Sequence, residues 1–156
     1  MSDIYLQLAV SEDVQILQDS ALAAFSADVD KYGAFPPNIE SIDWFHSEVG
    51  KGHFYKVLCD GEFAGAICVE CGDQSSIEIK YVYIALKFQN KHIGFEVMRL
   101  IEEQYSDIKY WSLLTPYKSY RNHHFYEKLG YKKVGEFQPD ASDDFRVFEY
   151  SKTLTC

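Results

Sequence analysis

Apolar and polar positions alternate from residue 77 to 84. Ile77, Ile79, Tyr81 and Tyr83 point one way, and Glu78, Lys80, Val82 and Ile84 the other. A period of two in β-branched and aromatic residues predicts a strand. From Gly94 the period changes: Val97, Met98, Ile101 and Tyr105 recur at helical spacing, with Glu96, Arg99, Glu102 and Glu103 between them. The polar stretch Gln89–Gly94 (QNKHIG) joins the two. A strand feeding a helix through a short loop leaves several backbone N–H groups unpaired at the helix start. They converge at the positive end of the helix dipole, which suits a phosphate.

The rest of the chain is read the same way. Ile4–Leu8 is a short strand. Ser11 is placed to cap a helix, with Glu12 and Asp13 in its first turn, and Val14, Leu17, Ala21 and Phe25 form a stripe ending near residue 25. Ser26–Pro37 reads as a loop because it holds Gly33, Pro36 and Pro37. Ile39–Val49 predicts a second helix ended by Gly50. His53–Cys59 and Glu62–Glu70 flank Asp60-Gly61, a hairpin signal, and Gly72–Ser75 turns into the strand at 77. Trp111–Thr115 reads as a buried strand stopped by Pro116, 117–121 as a polar loop, and Asn122–Leu129 as a short helix ended by Gly130. Lys132–Phe137 and Phe145–Ser151 make a last antiparallel pair around QPDASDD. The order β-α-α-β-β-β-α-β-α-β-β predicts an α/β fold, a mixed, mostly antiparallel sheet with one parallel crossover.

Composition narrows the function classes. A chain of 156 residues, 47% hydrophobic and 16% aromatic, is expected to fold as a single domain over 1–156. No apolar run has the length of a membrane span. The N-terminus lacks a basic segment ahead of its apolar residues, and four cysteines without an export signal are expected to stay reduced in the cytoplasm. A net charge of −9 with no basic patch argues against nucleic acid. Acidity of this kind first serves solubility, and its other reading is an attraction for cationic partners, amines among them.

Two stretches carry chemistry. The first is Gln89-Asn90-Lys91-His92-Ile93-Gly94. The second begins 28 residues after Gly94 and runs Asn122-His-His-Phe-Tyr-Glu-Lys-Leu-Gly-Tyr131. The first resembles the pyrophosphate-binding signature of the GCN5-related N-acetyltransferase superfamily, Gln/Arg-x-x-Gly-x-Gly/Ala, with His92 where the family has its first glycine. The second is similar to that family's Asn-x-x-x-Phe-Tyr-x-Lys-x-Gly-Phe segment. The motif detail covers about residues 77–137.

The resemblance implies a fold, a ligand and roles. The fourth and fifth strands part like a V, and acetyl-coenzyme A lies in the gap as cosubstrate, with no metal. The backbone of Val82, Tyr83 and Ile84 pairs with pantetheine and polarises the acetyl carbonyl. The backbone of Gln89, Asn90, Lys91, His92, Ile93 and Gly94 cradles the pyrophosphate, and Asn122 hydrogen-bonds the pantetheine arm. Tyr126 protonates the departing thiolate. A phenol with a pKa of about 10 can serve a thiolate whose own value is about 8.5. The alternative for Tyr126 is packing of the helix on the sheet, although Phe125 and Leu129 read as the packing pair. Glu78 stands where histone acetyltransferases of the superfamily carry a glutamate base. A solvated carboxylate beside Lys80, with water moving the proton, is its alternative. His92 is expected to take the positive φ that glycine would supply.

Other positions give less. Cys68 and Cys71 fall on opposite faces of a strand, and the adjacent His123 and His124 diverge by about 100° on a helix, so neither pair reads as a metal site. Asp28, Asp30 and Tyr32 are candidates for an amine pocket. The expectation is an N-acetyltransferase for an amine of a small molecule or peptide, monomeric or homodimeric. Its rival is a non-catalytic coenzyme A-binding domain on the same fold.

Overall fold

The computed structural model describes residues 3–32, 39–72, 75–89, 91–117, 120–138 and 146–154, the side chains of 27–32, 120 and 121 excepted. Seven strands and four α-helices alternate in the predicted order: β1 (Ile4–Leu8), α1 (Val14–Tyr32), α2 (Ile42–Gly50), β2 (Phe54–Cys59), β3 (Glu62–Cys71), β4 (Ser76–Ile84), α3 (Ile93–Gln104), β5 (Tyr110–Pro116), α4 (Tyr120–Lys128), β6 (Lys132–Phe137) and β7 (Val147–Thr153). The sheet order is β1-β2-β3-β4-β5-β7-β6. The described ladders are antiparallel except β4 with β5, which run parallel. The fold is the mixed, mostly antiparallel α/β sheet read from the sequence. Among the described residues no helix is long and apolar enough to cross a membrane.

The contacts group into two compact units, Met1–Val69 with Tyr81–Tyr105, and Glu70–Lys80 with Ser106–Cys156. In the first, β2 and β3 form the predicted hairpin. Asp60 and Gly61 have φ of 53° and 84°, the positive pair that a two-residue turn requires. One face of this sheet meets α1 and α2: Phe54, Ala66, Cys68 and Tyr83 pack with Val14, Leu17, Ala21, Phe45 and Val49. The other face carries Tyr55, whose hydroxyl lies 2.8 Å from that of Tyr105 at the end of α3. His53 Nδ1 is 3.0 Å from the same Tyr105 oxygen. α3 buries Val97, Met98 and Ile101 of the expected stripe and adds Ile93, while Tyr105 lies just past the helix and is half-buried.

In the second unit, residues paired in register share a face. Ile77 lies opposite Trp111, Ile79 opposite Leu113, Leu113 opposite Tyr150 and Thr115 opposite Phe148. α4 covers that face, with the His123 ring stacked 4.9 Å from Phe148 and Tyr126 6.3 Å from Tyr150. The opposite face carries Glu78, Ser112 and Ser151. At the sheet edge, β6 shifts register against β7 between Lys133 and Gly135, and Val134 is exposed.

Several expectations give way. α1 does not end near residue 25 but continues to Tyr32, so the first part of the predicted loop Ser26–Pro37 is helical, and residues 33–38 lie outside the described ones. Ser11 does not cap α1. The chain enters through a 3₁₀ turn, and the Val10 N–H is bonded at 2.9 Å by the Asp13 carboxylate. α2 starts at Ile42 instead of Ile39, because Ser41 Oγ accepts from the Trp44 N–H at 3.1 Å. Ile39 is buried although it precedes the helix. Gly50 belongs to α2, and the positive φ, 83°, falls at Gly52. β5 alternates: Trp111, Leu113 and Thr115 are buried while Leu114 is exposed. α4 begins at Tyr120, inside the predicted 117–121 loop. Cys68 is buried and Cys71 exposed, as opposite faces require. The loop QPDASDD lies mostly outside the described residues.

Candidate active site

Where β4 ends, the backbone is shaped for the loop that follows. Gly65 on β3 has a φ of 156°, and a Cβ placed there would lie 2.2 Å from the Tyr83 carbonyl oxygen. Only glycine lets β4 approach so closely. The Ala85 N–H then bonds the Ala64 carbonyl at 2.7 Å, and Leu86–Phe88 form a 3₁₀ turn. Gln89 folds its side chain back, and its Nε2 donates to the Ile84 carbonyl at 3.0 Å. The Gln89 amide therefore closes the loop. Asn90 lies outside the described residues. Lys91 places its ammonium 5.9 Å from the Phe88 ring.

His92 occupies the left-handed region, φ 62° and ψ 15°, and is the N-cap of α3 without a side-chain hydrogen bond to the helix. His92 thus tolerates the positive φ that glycine would permit at this position. The imidazole packs 6.2 Å from the Phe95 ring, one turn on. The first N–H groups of α3, at Ile93, Gly94 and the residues after them, thus have no capping side chain and carry the positive end of the dipole. These donors, with the backbone turned left-handed at His92, fit an anionic group such as a pyrophosphate. His92→Gly should leave coenzyme A affinity unchanged or tighten it. The left-handed strain disappears, while the looser unfolded chain offsets part of the gain, so stability should move by less than about 1 kcal/mol. Calorimetric titration of coenzyme A reads the result, and a clear loss of affinity would mean that the imidazole itself binds phosphate.

In the second unit, consecutive residues tie the start of α4 to the end of β5. Asn122 Nδ2 lies 3.5 Å from Thr115 Oγ1, and His123 Nε2 is 2.9 Å from the Pro116 carbonyl, so His123 holds that proton toward Pro116. Among the described side chains of α4, His123 and Tyr126 are buried, whereas Phe125 and, just past the helix, Leu129 are half-buried. A hydrogen-bonded, stacked imidazole here takes a core position that the apolar pattern of the sequence assigns to Leu129. Tyr126 retains 8% of its exposure, its ring meeting Phe125, Tyr131 and Tyr150, and its hydroxyl bonds no described residue. Burial raises its pKa well above the ordinary phenol value, so it holds its proton. Tyr150, by contrast, donates to Glu127 Oε2 at 3.0 Å, and its pKa is raised to about 12, mainly by burial.

Glu78 sits on the sheet face opposite α4, so the structure does not bring it onto one face with Tyr126 and Asn122. Its carboxylate is 3.8 Å from Lys80, which also reaches Glu70 at 3.7 Å. Val82, Tyr83 and Ile84 lie beyond the stretch of β4 in register with β5, which covers Ser76–Ile79 and Tyr110–Leu113. Tyr83 anchors this end: its hydroxyl donates to the Leu17 carbonyl at 2.8 Å and lies 2.9 Å from Ser20 Oγ. Sequence reading missed Gly65, although a glycine inside the apolar run FAGAICV is a signal of close backbone approach.

Residues 50–133 match the acetyltransferase (GNAT) domain family. The chain belongs to the GNAT family. Three solved structures show how fully it has the GNAT fold. The PaiA N-acetyltransferase of Thermoplasma acidophilum, solved with coenzyme A, superposes with a TM-score of 0.80 at 17% identity, covering 97% of this chain and 99% of that one. The ribosomal-protein-S18-alanine N-acetyltransferase of Escherichia coli gives 0.79 at 12% identity over 99% and 96%. The Salmonella typhimurium acetyltransferase that modifies the N-terminal serine of ribosomal protein L7/L12 gives 0.77 at 14% over 97% and 95%. Among curated sequences, the uncharacterized protein YrkN of Bacillus subtilis is 32% identical over 82 residues, 51% of this GNAT chain and 44% of its own length. The chain thus spans less than half of that relative.

Proposed function

We propose that residues 1–156 act as one acetyl-coenzyme A-dependent N-acetyltransferase domain that acetylates the amine of a small molecule or peptide by direct attack. The observation that carries the reading is His92: a non-glycine residue held at φ 62° at the uncapped start of α3, inside the family's pyrophosphate signature. Strain of this kind persists where the surrounding structure demands the conformation.

Acetyl-coenzyme A supplies an activated thioester carbonyl. The chain's part is to bind, orient and move protons. Ile93, Gly94 and the residues after them offer backbone donors to the pyrophosphate, with His92 setting their direction and the Gln89 side chain fixing the loop. Val82–Ile84 offer backbone groups to the pantetheine, and Asn122 offers its amide. Glu78 takes the proton that the amine must lose at Oε, directly or through water. Tyr126 delivers the proton that the leaving sulfur must gain from Oη. The N–C bond forms as the C–S bond breaks, so the proton lost by the amine and the proton gained by the sulfur are handled by two different groups.

Coenzyme A should raise the melting temperature of the protein. At a ligand concentration one hundred times Kd the stabilisation is about 2.7 kcal/mol, which for a chain of this size is roughly 5–10 °C. Differential scanning fluorimetry with millimolar coenzyme A reads the shift, and its absence would remove the basis of the proposal. Thiol release from acetyl-coenzyme A with an amine panel separates the enzyme from a non-catalytic binder.

A further inference from the structure

Resting on the N-acetyltransferase reading, we propose that Phe25, Trp44 and Tyr81 form the acceptor subsite, and that it takes an amine carrying a second ammonium group on a methylene stem. The three rings come from α1, α2 and β4 and lie on the face of the first unit that the helices cover. Trp44 and Tyr81 meet edge to face at 5.0 Å and 87°, and Phe25 lies 6.4 Å from Tyr81 and 5.7 Å from Tyr83. All three are only half-buried, as is Phe63, at the rim of a core that buries Phe45, Phe54 and Tyr83. The two tyrosines differ in what holds them. The Tyr83 hydroxyl is fixed by Leu17 and Ser20, whereas the Tyr81 hydroxyl bonds no described residue. Tyr81 also directly precedes Val82, where the proposed pantetheine-binding backbone begins.

Charge selects the occupant. Residues 11–50 hold eight acidic side chains against one lysine, a net −7 of the −9 on the whole chain. Two are matched: Asp13 by Lys56 at 3.1 Å and Glu48 by Lys51 at 2.7 Å. Glu12, Asp19, Glu40 and Asp43 have no cationic partner among the described residues, and Glu40 and Asp43 are exposed beside Trp44 in sequence. A field of this sign draws cations. The face of a half-exposed ring attracts an ammonium and packs against its methylene stem. A monoamine uses one of these attractions at the reacting nitrogen. A diamine keeps one nitrogen neutral for attack while the other remains an ammonium held by rings and carboxylates.

The test compares 1,4-diaminobutane with butylamine on the full chain saturated with coenzyme A. Calorimetry should give the diamine an affinity about tenfold higher, and the gap should narrow at high salt. Thiol release from acetyl-coenzyme A should show the same preference in kcat/KM. Trp44→Leu and the surface change Asp43→Asn should each shrink it, the second without any packing loss. Equal affinities, or a preference that both variants leave intact, would overturn the subsite. So would turnover of basic peptides alone, a result under which the N-acetyltransferase reading survives. Diamine binding with no thiol release from any amine would refute the acceptor role and the enzymatic reading together.

Discussion

Tyr126→Phe should lower kcat by about 100-fold or more while coenzyme A affinity stays nearly constant. General acid catalysis typically contributes about 10²–10⁴-fold. The hydroxyl is needed only as charge develops on the sulfur, so its loss should lower kcat and kcat/KM together. Two features make the variant a clean probe. The ring, which meets Phe125, Tyr131 and Tyr150, is retained. The hydroxyl bonds no described residue, so its removal strands no partner and the melting temperature should barely move. Because burial holds the phenol pKa above its usual value, the proton remains in place through neutral and mildly alkaline pH, and an alkaline limb there belongs to another group. Steady-state kinetics with the true acceptor checks the effect. Full activity in the Phe variant would make Tyr126 a packing residue. Glu78→Gln is the companion change, expected to alter the acid limb of the pH profile if the carboxylate is the base.

Gly65→Ala should cost stability and ligand binding at once. The new methyl would meet a backbone oxygen, not the far end of a flexible side chain, at 2.2 Å, and the 156° φ is itself unfavourable to alanine. Overpacking of this kind costs about 1–3 kcal/mol, a fall in melting temperature of roughly 3–10 °C. The relief available is for β4 to move away from β3. That displaces the Tyr83 carbonyl, the Ala85–Ala64 hydrogen bond and the Ile84 carbonyl that Gln89 holds. The stabilisation gained from coenzyme A should therefore shrink beyond what the loss in stability explains. Thermal melts with and without ligand measure both. An alanine variant melting within a degree of the native chain would show that β4 does not depend on this approach.

The parts legible in the sequence are those where local chemistry decides. Alternation at 77–84, the helical period from Gly94 and the Asp60-Gly61 turn each impose one backbone geometry, and even the positive φ at His92 follows from the residue it replaces. The failures share a cause in tertiary context. The prolines at 36 and 37 restrict only residues close before them, so nothing forbade α1 from continuing through Ser26–Tyr32, a stretch with no apolar period to reveal it. Ile39 is buried outside its helix, and an apolar residue at the right spacing looks the same in either place. On α4 the buried imidazole of His123 was invisible to a count of apolar residues, which shifted the inferred face away from Tyr126. The division of Glu78 from α4 by the sheet follows from strand register, which no single stretch contains.

β6, the outer strand of the sheet, offers one unpaired row of backbone groups to solvent, and such a row is a template for another chain. Its register shift leaves Val134 out of the ladder and bends the strand, while Lys132 and Lys133 lie at one end of it and Glu136 near the other. A second strand laid against this margin would find the donors and acceptors out of step, and a parallel copy would also bring like charges together. The irregularity in β6 thus works as a guard against edge-to-edge stacking between molecules, which a crowded solution of a β-rich chain otherwise invites.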